Sequence, residues 1–343
     1  MARYRLGEPR LASRGGRPAV TERLTYSQAY RAGLAEEMTS NDLIFVLGTD
    51  ILLRGGHFAQ VFGLGERFGA DRIRDVPISE AAMVAAGVGA ALGGMRPVVD
   101  LNFLDFAFGG MDELCNQAAK IHYMFGIPVP MVVRATNGIA FGGAQHNNVI
   151  ESWFAEMPGL HVAVPSTPAD TKGLIKTALR LDDPVLFLMH KALTGVRGEV
   201  GGPADYIPFG LARIVREGGD ATLIGYGATV RTCVAAAEQL AAEGVAAEVI
   251  DLRTLYPLDL ETVTASLRKT GRAVMVDESP GYGGVSAEIA ASLSEAAFDY
   301  LDGPVMRVHA PHSPVPQSRV LLEALLPGGG QVAAAARALI ARG

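Results

Sequence analysis

Chemistry-bearing side chains are sparse in this sequence, and two of them sit where their neighbours restrict them. Glu80 closes the string Arg74–Glu80 (RDVPISE) and opens an alanine- and glycine-rich run, so a carboxylate stands at a loop-to-helix junction. An acid in a first helical turn is favourable on electrostatic grounds alone, because the helix N-terminus carries partial positive charge. The same junction can instead leave a carboxylate partly desolvated beside a long small-residue helix and close to a buried ligand, where its proton affinity is raised. His146 ends Gly142-Gly143-Ala144-Gln145-His146, a flexible polar loop. An imidazole there can donate to a developing oxyanion or relay protons near neutral pH; the plainer reading is a solvated loop histidine. His57 follows Arg54-Gly55-Gly56 and is given no role. No HExxH or paired CxxC spacing occurs, so no metal-ligand set is expected.

The elements that must position these residues follow from hydrophobic spacing. Leu24–Met38 reads as a helix with Thr25 or Ser27 as its cap. Leu43–Gly48 (LIFVLG) is a short apolar run suited to a buried parallel strand. Ala81–Met95 reads as a helix buried on all sides, with Ser79 as its N-cap, and Arg96-Pro97 ends it. Met111–Phe125 is spaced as a helix. Strand–helix alternation continues to Met189, then fails over residues 195–209, where Gly and Pro are dense, and resumes from Ala221. The expected fold class is therefore α/β, with two domains and a parallel sheet in the first. The boundaries read as an N-terminal arm over 1–23, a first domain over 24–195, a linker over 196–209 and a second domain over 210–343.

Bulk properties agree with a packed two-domain protein. The chain has 343 residues, 49% apolar and 19% charged, with 41 glycines and one Trp. A net charge of −6 without a basic run argues against nucleic acid or an anionic membrane as partner. Cys115 and Cys233 make no disulfide framework, which fits a reducing cytoplasm. Residues 1–23 lack the continuous apolar core of a signal peptide, and Ala81–Met95 is short and glycine-rich for a membrane span.

An ordered series of strings carries a family resemblance. Pro77-Ile78-Ser79-Glu80 resembles the PISE motif of E1 β subunits, the thiamine-diphosphate components of 2-oxoacid dehydrogenase complexes. The likeness continues through Phe103-Leu104-Asp105-Phe106, Met111–Lys120 (MDELCNQAAK), Gln145-His146, Trp153-Phe154-Ala155, Val164-Pro165-Ser166-Thr167-Pro168, Asp251–Asp259 (DLRTLYPLD) and Ala287-Glu288-Ile289. It spans about residues 24–340. Within the family, Gly109–Leu114, Tyr123–Gly126 and His190-Lys191 followed by Gly198-Glu199-Val200 look most like the acetoin dehydrogenase branch.

The resemblance implies a transketolase-type pyrimidine-binding domain followed by a transketolase-type C-terminal domain. It gives Glu80 the hydrogen bond to the far nitrogen of the cofactor's aminopyrimidine, through which a proton is exchanged. It gives Phe106 a stacking role on that ring and Ile78 a place in the pocket wall; by type alone each is equally an ordinary packing residue. It gives His146 contact with substrate and a part in passing the acyl group to lipoamide.

The GDG string with a later Asn, which anchors the diphosphate and Mg²⁺ in such enzymes, is absent here; Gly218-Gly219-Asp220 precedes a strand-like run instead. The resemblance therefore implies an α subunit carrying the diphosphate and Mg²⁺ site in an α2β2 assembly, with a second β subunit and a lipoyl-bearing acyltransferase as further partners.

Several positions depart from the family pattern. Thr49 replaces a usual acid, His146-Asn147-Asn148 stands for His-Ser-Gln, Met189 for Glu, and His312 for an acid. The loop Phe125–Pro130 is shorter than is common. Leu181 stands for an Asp near the carbonyls that hold a structural K⁺ in many relatives, so the ion is not carried over. These changes bear on substrate and acceptor more than on the cofactor core. Two alternatives are a two-subunit transketolase-like enzyme moving a ketol group between sugars, and a non-catalytic scaffold paralogue. The first lacks a recognisable His/Arg cluster for phosphosugars; the second sits poorly with retained Glu80 and His146.

Overall fold

The computed structural model describes residues 22–342. The arm expected over 1–23 lies outside them, apart from Glu22 and Arg23, which begin a strand. Contacts divide the chain into two compact units: residues 22–136, 154–189 and 193–209 in one, and 137–153, 190–192 and 210–342 in the other. Two short segments thus leave the first half of the chain to pack with the second. His146 travels with them.

In chain order the elements of the first half are β1 (Glu22–Thr25), α1 (Tyr26–Ser40), β2 (Ile44–Gly48), α2 (Leu64–Phe68), β3 (Ile73–Asp75), α3 (Glu80–Leu92), β4 (Arg96–Phe103), α4 (Ala119–Phe125), β5 (Val132–Asn137), α5 (Glu151–Ala155), β6 (His161–Ala163), α6 (Pro168–Ala178), β7 (Val185–His190) and β8 (Arg197–Val200). In the first unit β6, β7, β5, β4, β2 and β3 lie side by side in that order. The ladders β3/β2, β2/β4, β4/β5 and β6/β7 are parallel. Their strands are buried almost throughout, which is why they read as continuous apolar runs.

Local chemistry explains several element ends. Thr25 caps α1 with a full capping box, its hydroxyl accepting from Gln28 N while Gln28 Oε1 accepts from Thr25 N at 2.9 Å. Thr25, not Ser27, is therefore the cap, and Leu24 belongs to β1. Ser79 does occupy the N-cap position of α3, but its side chain makes no capping bond. The expected helix Met111–Phe125 is split: residues 112–118 wind as a wider π-helical stretch before α4. The glycine-rich segment after residue 195 is not structureless, since β8 pairs antiparallel with β1. Its alternating pattern is too short to stand out in sequence.

One expectation is overturned. Helix α3 is not buried on all sides: Met83, Val84, Gly87, Val88 and Ala91 face inward, while Ala82, Ala85, Ala86 and Gly89 are exposed. An apolar run with small residues on every face gives no amphipathic signal, so the sequence hides which face is outward. The inward face packs tightly on the sheet. A Cβ on Gly87 would stand 2.6 Å from Val99 Cγ2 of β4, a distance only a glycine avoids.

Arg96, at the start of β4, donates to the carbonyls of Leu179 (3.3 Å) and Leu181 (2.8 Å) and pairs with Asp182 at 2.6 Å. These bonds tie the start of β4 to the segment that follows α6.

The second unit carries β9 (Arg213–Arg216), β10 (Ala221–Gly225), α7 (Thr229–Ala241), β11 (Ala247–Asp251), β12 (Thr254–Tyr256), α8 (Leu260–Thr270), β13 (Ala273–Pro280), α9 (Val285–Ala296), β14 (Met306–Ala310), α10 (Arg319–Leu325) and α11 (Gly329–Ile340). Its sheet has the order β14-β13-β10-β11-β9, parallel except for the antiparallel edge strand β9. Leu223, Val249, Val274 and Val276 from the sheet pack with Cys233 and Leu240 of α7 and Val332 and Leu339 of α11. Asp220 is used locally, accepting from Ala246 N at 2.7 Å. The chain is an α/β protein. Among the described residues no helix is long and apolar enough to cross a membrane.

Candidate functional site

Glu80 is the first residue of α3, where the uncapped N–H groups of the first turn favour a negative charge. Its carboxylate has no hydrogen-bond or ion-pair partner among the described residues. The tight turn Leu104–Gly110 lies directly on this helix end. A Cβ built on Gly109 would stand 3.4 Å from Glu80 Cβ and 3.7 Å from Oε2, and one on Gly110 3.0 Å from Val84 Cγ2. Gly109 thus sets the turn against the Glu80 side chain, and Gly110 sets it against Val84 and the Glu80 backbone.

The same turn carries Phe106. It is 39% exposed and packs edge-on against Phe103, with ring centres 6.4 Å apart. Phe103 in turn contacts His57 at 5.5 Å and Phe58 at 6.0 Å. Phe106 is thus anchored on one edge but is not a core residue. Ile78, two residues before Glu80, is 77% exposed. The first unit gathers Glu80 with the turn of Phe106 and leaves two apolar side chains outside its core. That arrangement fits a flat heterocycle: an apolar surface, an aromatic ring and one unpaired carboxylate.

The same unit holds a buried polar network that sequence reading missed. Asp100 of β4, 1% exposed, accepts from Arg134 Nη1 (3.1 Å), Gln60 Nε2 (2.8 Å) and Asn102 N (3.0 Å). Arg134 is fully buried, and its Nε lies 3.4 Å from Met189 Sδ, while Nη2 has no hydrogen-bond partner among the described residues. The signal was a lone charge inside each of the strands VVDLNF and VVRATN. Charges buried among apolar residues are expected in pairs.

His146 is in the second unit, half-buried in a single tight turn, Ala144–His146. Asn147 and Lys191, both 2% exposed, support it; Lys191 Nζ donates to the His146 carbonyl and to Asn147 Oδ1, the latter at 2.8 Å. At the base of the loop Ile139 N donates to Glu278 Oε2 (2.9 Å), which also pairs with His190 Nε2 (2.8 Å). Burial alone would raise the Glu278 acid; His190, the Ile139 N–H and Lys191 outweigh it and hold the carboxyl below its usual range.

Glu151 behaves oppositely. It is 1% exposed and accepts from Asn137 Nδ2 at 2.6 Å. Burial, reinforced by the charge of Asp277, pushes its acid up to about 8. A cleft of about 410 Å³ adjoins the loop, lined in part by Asn147, Asn148, Glu278, Pro280, His312 and Val315. Among the described residues no group of three or more His, Cys, Asp or Glu is placed to hold a metal.

A parallel-sheet unit presenting a carboxylate on a helix N-terminus, followed by a second α/β unit, defines a class: the transketolase-type pyrimidine-binding and C-terminal domains of thiamine-diphosphate-dependent enzymes. Residues 22–196 match the family described as transketolase, pyrimidine binding domain, and residues 210–332 match transketolase, C-terminal domain. The acetoin:2,6-dichlorophenolindophenol oxidoreductase subunit beta of Cupriavidus necator is 42% identical, over 93% of this chain and 98% of that protein. The 2-oxoisovalerate dehydrogenase subunit beta of Bacillus subtilis is 42% identical over 85% and 90%, and the pyruvate dehydrogenase E1 component subunit beta of Rhizobium meliloti 40% over 94% and 71%. Among solved structures, an inactive β4 tetramer of a split-gene transketolase superposes with a TM-score of 0.76 at 25% identity, covering 93% of this chain and 98% of that one. The transketolase of Leishmania mexicana shares the fold with a TM-score of 0.70 at 19% identity, over 95% of this chain and 47% of that one. The chain belongs to the E1 β-subunit family of 2-oxoacid and acetoin dehydrogenases.

Proposed function

We propose that this chain is the β subunit of a cytoplasmic α2β2 enzyme that decarboxylates a 2-oxoacid or cleaves acetoin and passes the acyl group to a lipoyl domain. Residues 24–195 form its pyrimidine-binding domain, 196–209 the linker and 210–343 the C-terminal domain. The observation that carries the reading is the unpartnered Glu80 carboxylate at the start of α3, facing a glycine turn. Bound here, thiamine diphosphate would supply the nucleophilic carbon that this chemistry needs. Glu80 holds the proton exchanged with the aminopyrimidine nitrogen. Phe106 and Ile78 hold the ring plane by apolar contact, and His146 donates to the oxygen on which charge develops. The diphosphate and Mg²⁺ belong mainly to the α subunit, because this sequence lacks the GDG string. A second β subunit and a lipoyl-bearing acyltransferase complete the assembly. Dehydrogenase subunits at 40–42% identity favour this over ketol transfer, for which the split transketolase stands at 25%.

The test is co-expression with a GDG-containing α chain, followed by calorimetric titration of thiamine diphosphate with Mg²⁺. Binding by the mixture and not by either chain alone is expected. Tight, Mg²⁺-dependent binding by this chain alone would refute the shared site.

A further inference from the structure

The loop that carries His146 contains unusual backbone freedom. Gly138, Gly142 and Gly143 all have positive φ, at 80°, 102° and 66°. Three left-handed glycines in so short a stretch leave its unbound ensemble broad, so something must order it. The side chain of Asn147 closes the loop on itself. Its Nδ2 donates to the carbonyls of Phe141 (3.0 Å) and Gly143 (2.6 Å), and its Oδ1 accepts from Ala140 N (2.9 Å) and Lys191 Nζ (2.8 Å). An amide has two donor hydrogens and two acceptor lone pairs, and all four are used. Lys191 adds a bond to the His146 carbonyl itself and lies 5.9 Å from the Phe141 ring centre. The two side chains therefore touch the loop at residues 140, 141, 143 and 146.

We propose that Asn147 and Lys191 are positioning residues that fix the His146 imidazole for the reaction by locking its loop backbone. The proposal rests on the reading of His146 given above. Lys191 follows β7 directly, and its neighbour His190 is tied through Glu278 to Ile139, at the other end of the loop. The clamp thus joins both ends of the loop to β13 and to the end of β7. A loop held this way presents His146 in one place before substrate arrives, and misplacement of a reacting group by an ångström can cost about 100-fold in rate.

The experiment uses the assembled enzyme with Asn147→Ser, Lys191→Met, His146→Ala and the Asn147→Ser/His146→Ala double variant. Two readouts are taken: hydrogen exchange of the backbone over 139–147, and kcat with KM for the acyl-transfer reaction. Faster exchange over that segment is expected in Asn147→Ser and Lys191→Met. Their kcat should fall by roughly 10- to 100-fold with little change in KM. In the His146→Ala background, Asn147→Ser should cost nothing further, because both act through one group. Asn147→Ser removes the loop-closing amide but leaves a small polar side chain and no unpaired charge, so it remains informative if Lys191→Met assembles poorly. Unchanged exchange would overturn the clamp. A further full loss in the double variant would overturn its action through His146. A His146→Ala enzyme of normal kcat, with exchange still accelerated by Asn147→Ser, would instead sink the assigned role of His146 and with it the positioning claim.

Discussion

Glu80 and Glu151 each open a helix, yet their surroundings give them different chemistry. Glu80 stands against the glycine turn Leu104–Gly110 and has no hydrogen-bond or ion-pair partner among the described residues. Glu80→Gln keeps shape and removes the exchangeable acid; assembly should persist while kcat falls by about 100-fold or more. Activity near wild type would refute the assignment. Glu151 is sealed beside Asn137 and Asp277, with its acid raised to about 8 against an ordinary 4.5. The folded state therefore keeps a proton that the unfolded state loses. Its contribution to stability is full below about pH 4.5 and is lost as pH rises towards 8, at up to about 1.4 kcal/mol per pH unit. Glu151→Gln should remove that decline, so the melting temperature of the variant relative to wild type should climb across this window. A constant difference would show that Glu151 is not held protonated. Glu80 was legible from its string, whereas Glu151 was not, because nothing local marks a glutamate whose partners lie on β5 and β13.

At the scale of elements, α3 shows what a run of small residues accomplishes. Gly87 lets the helix approach β4 closely enough to set Glu80 at its end, and a Cβ there would meet Val99 at 2.6 Å. Gly87→Val should destabilise the protein by about 1–3 kcal/mol through overpacking, seen as a lower denaturation midpoint. An unchanged midpoint would mean that α3 can shift freely. Strands and long capped helices were legible because burial on both faces gives unbroken apolar runs and caps are local. The exposed face of α3, the π-helical stretch before α4 and the short strands β1 and β8 were not. Small side chains carry no amphipathic contrast, and four-residue strands depend on a partner far away in sequence.

At the scale of the whole molecule, a protein that completes its cofactor site only with a partner should gain stability from the cofactor only in that partner's presence. Thiamine diphosphate with Mg²⁺ at 100 times its dissociation constant should stabilise the assembled enzyme by about 2.7 kcal/mol, raising its melting temperature. The lone chain should not respond. An equal shift in both samples would place the complete site on this chain.

Sequence alone determined the α/β class and the position of Glu80 at a helix start, because each rests on contiguous residues whose spacing or type is informative. The tertiary structure decided that residues 137–153 and 190–192 pack with the second unit, that Asn147 and Lys191 hold the loop of His146, and that Asp100 and Arg134 meet in the core. Those outcomes depend on pairs separated by tens of residues, and buried polar groups find their partners only once the chain has closed around them.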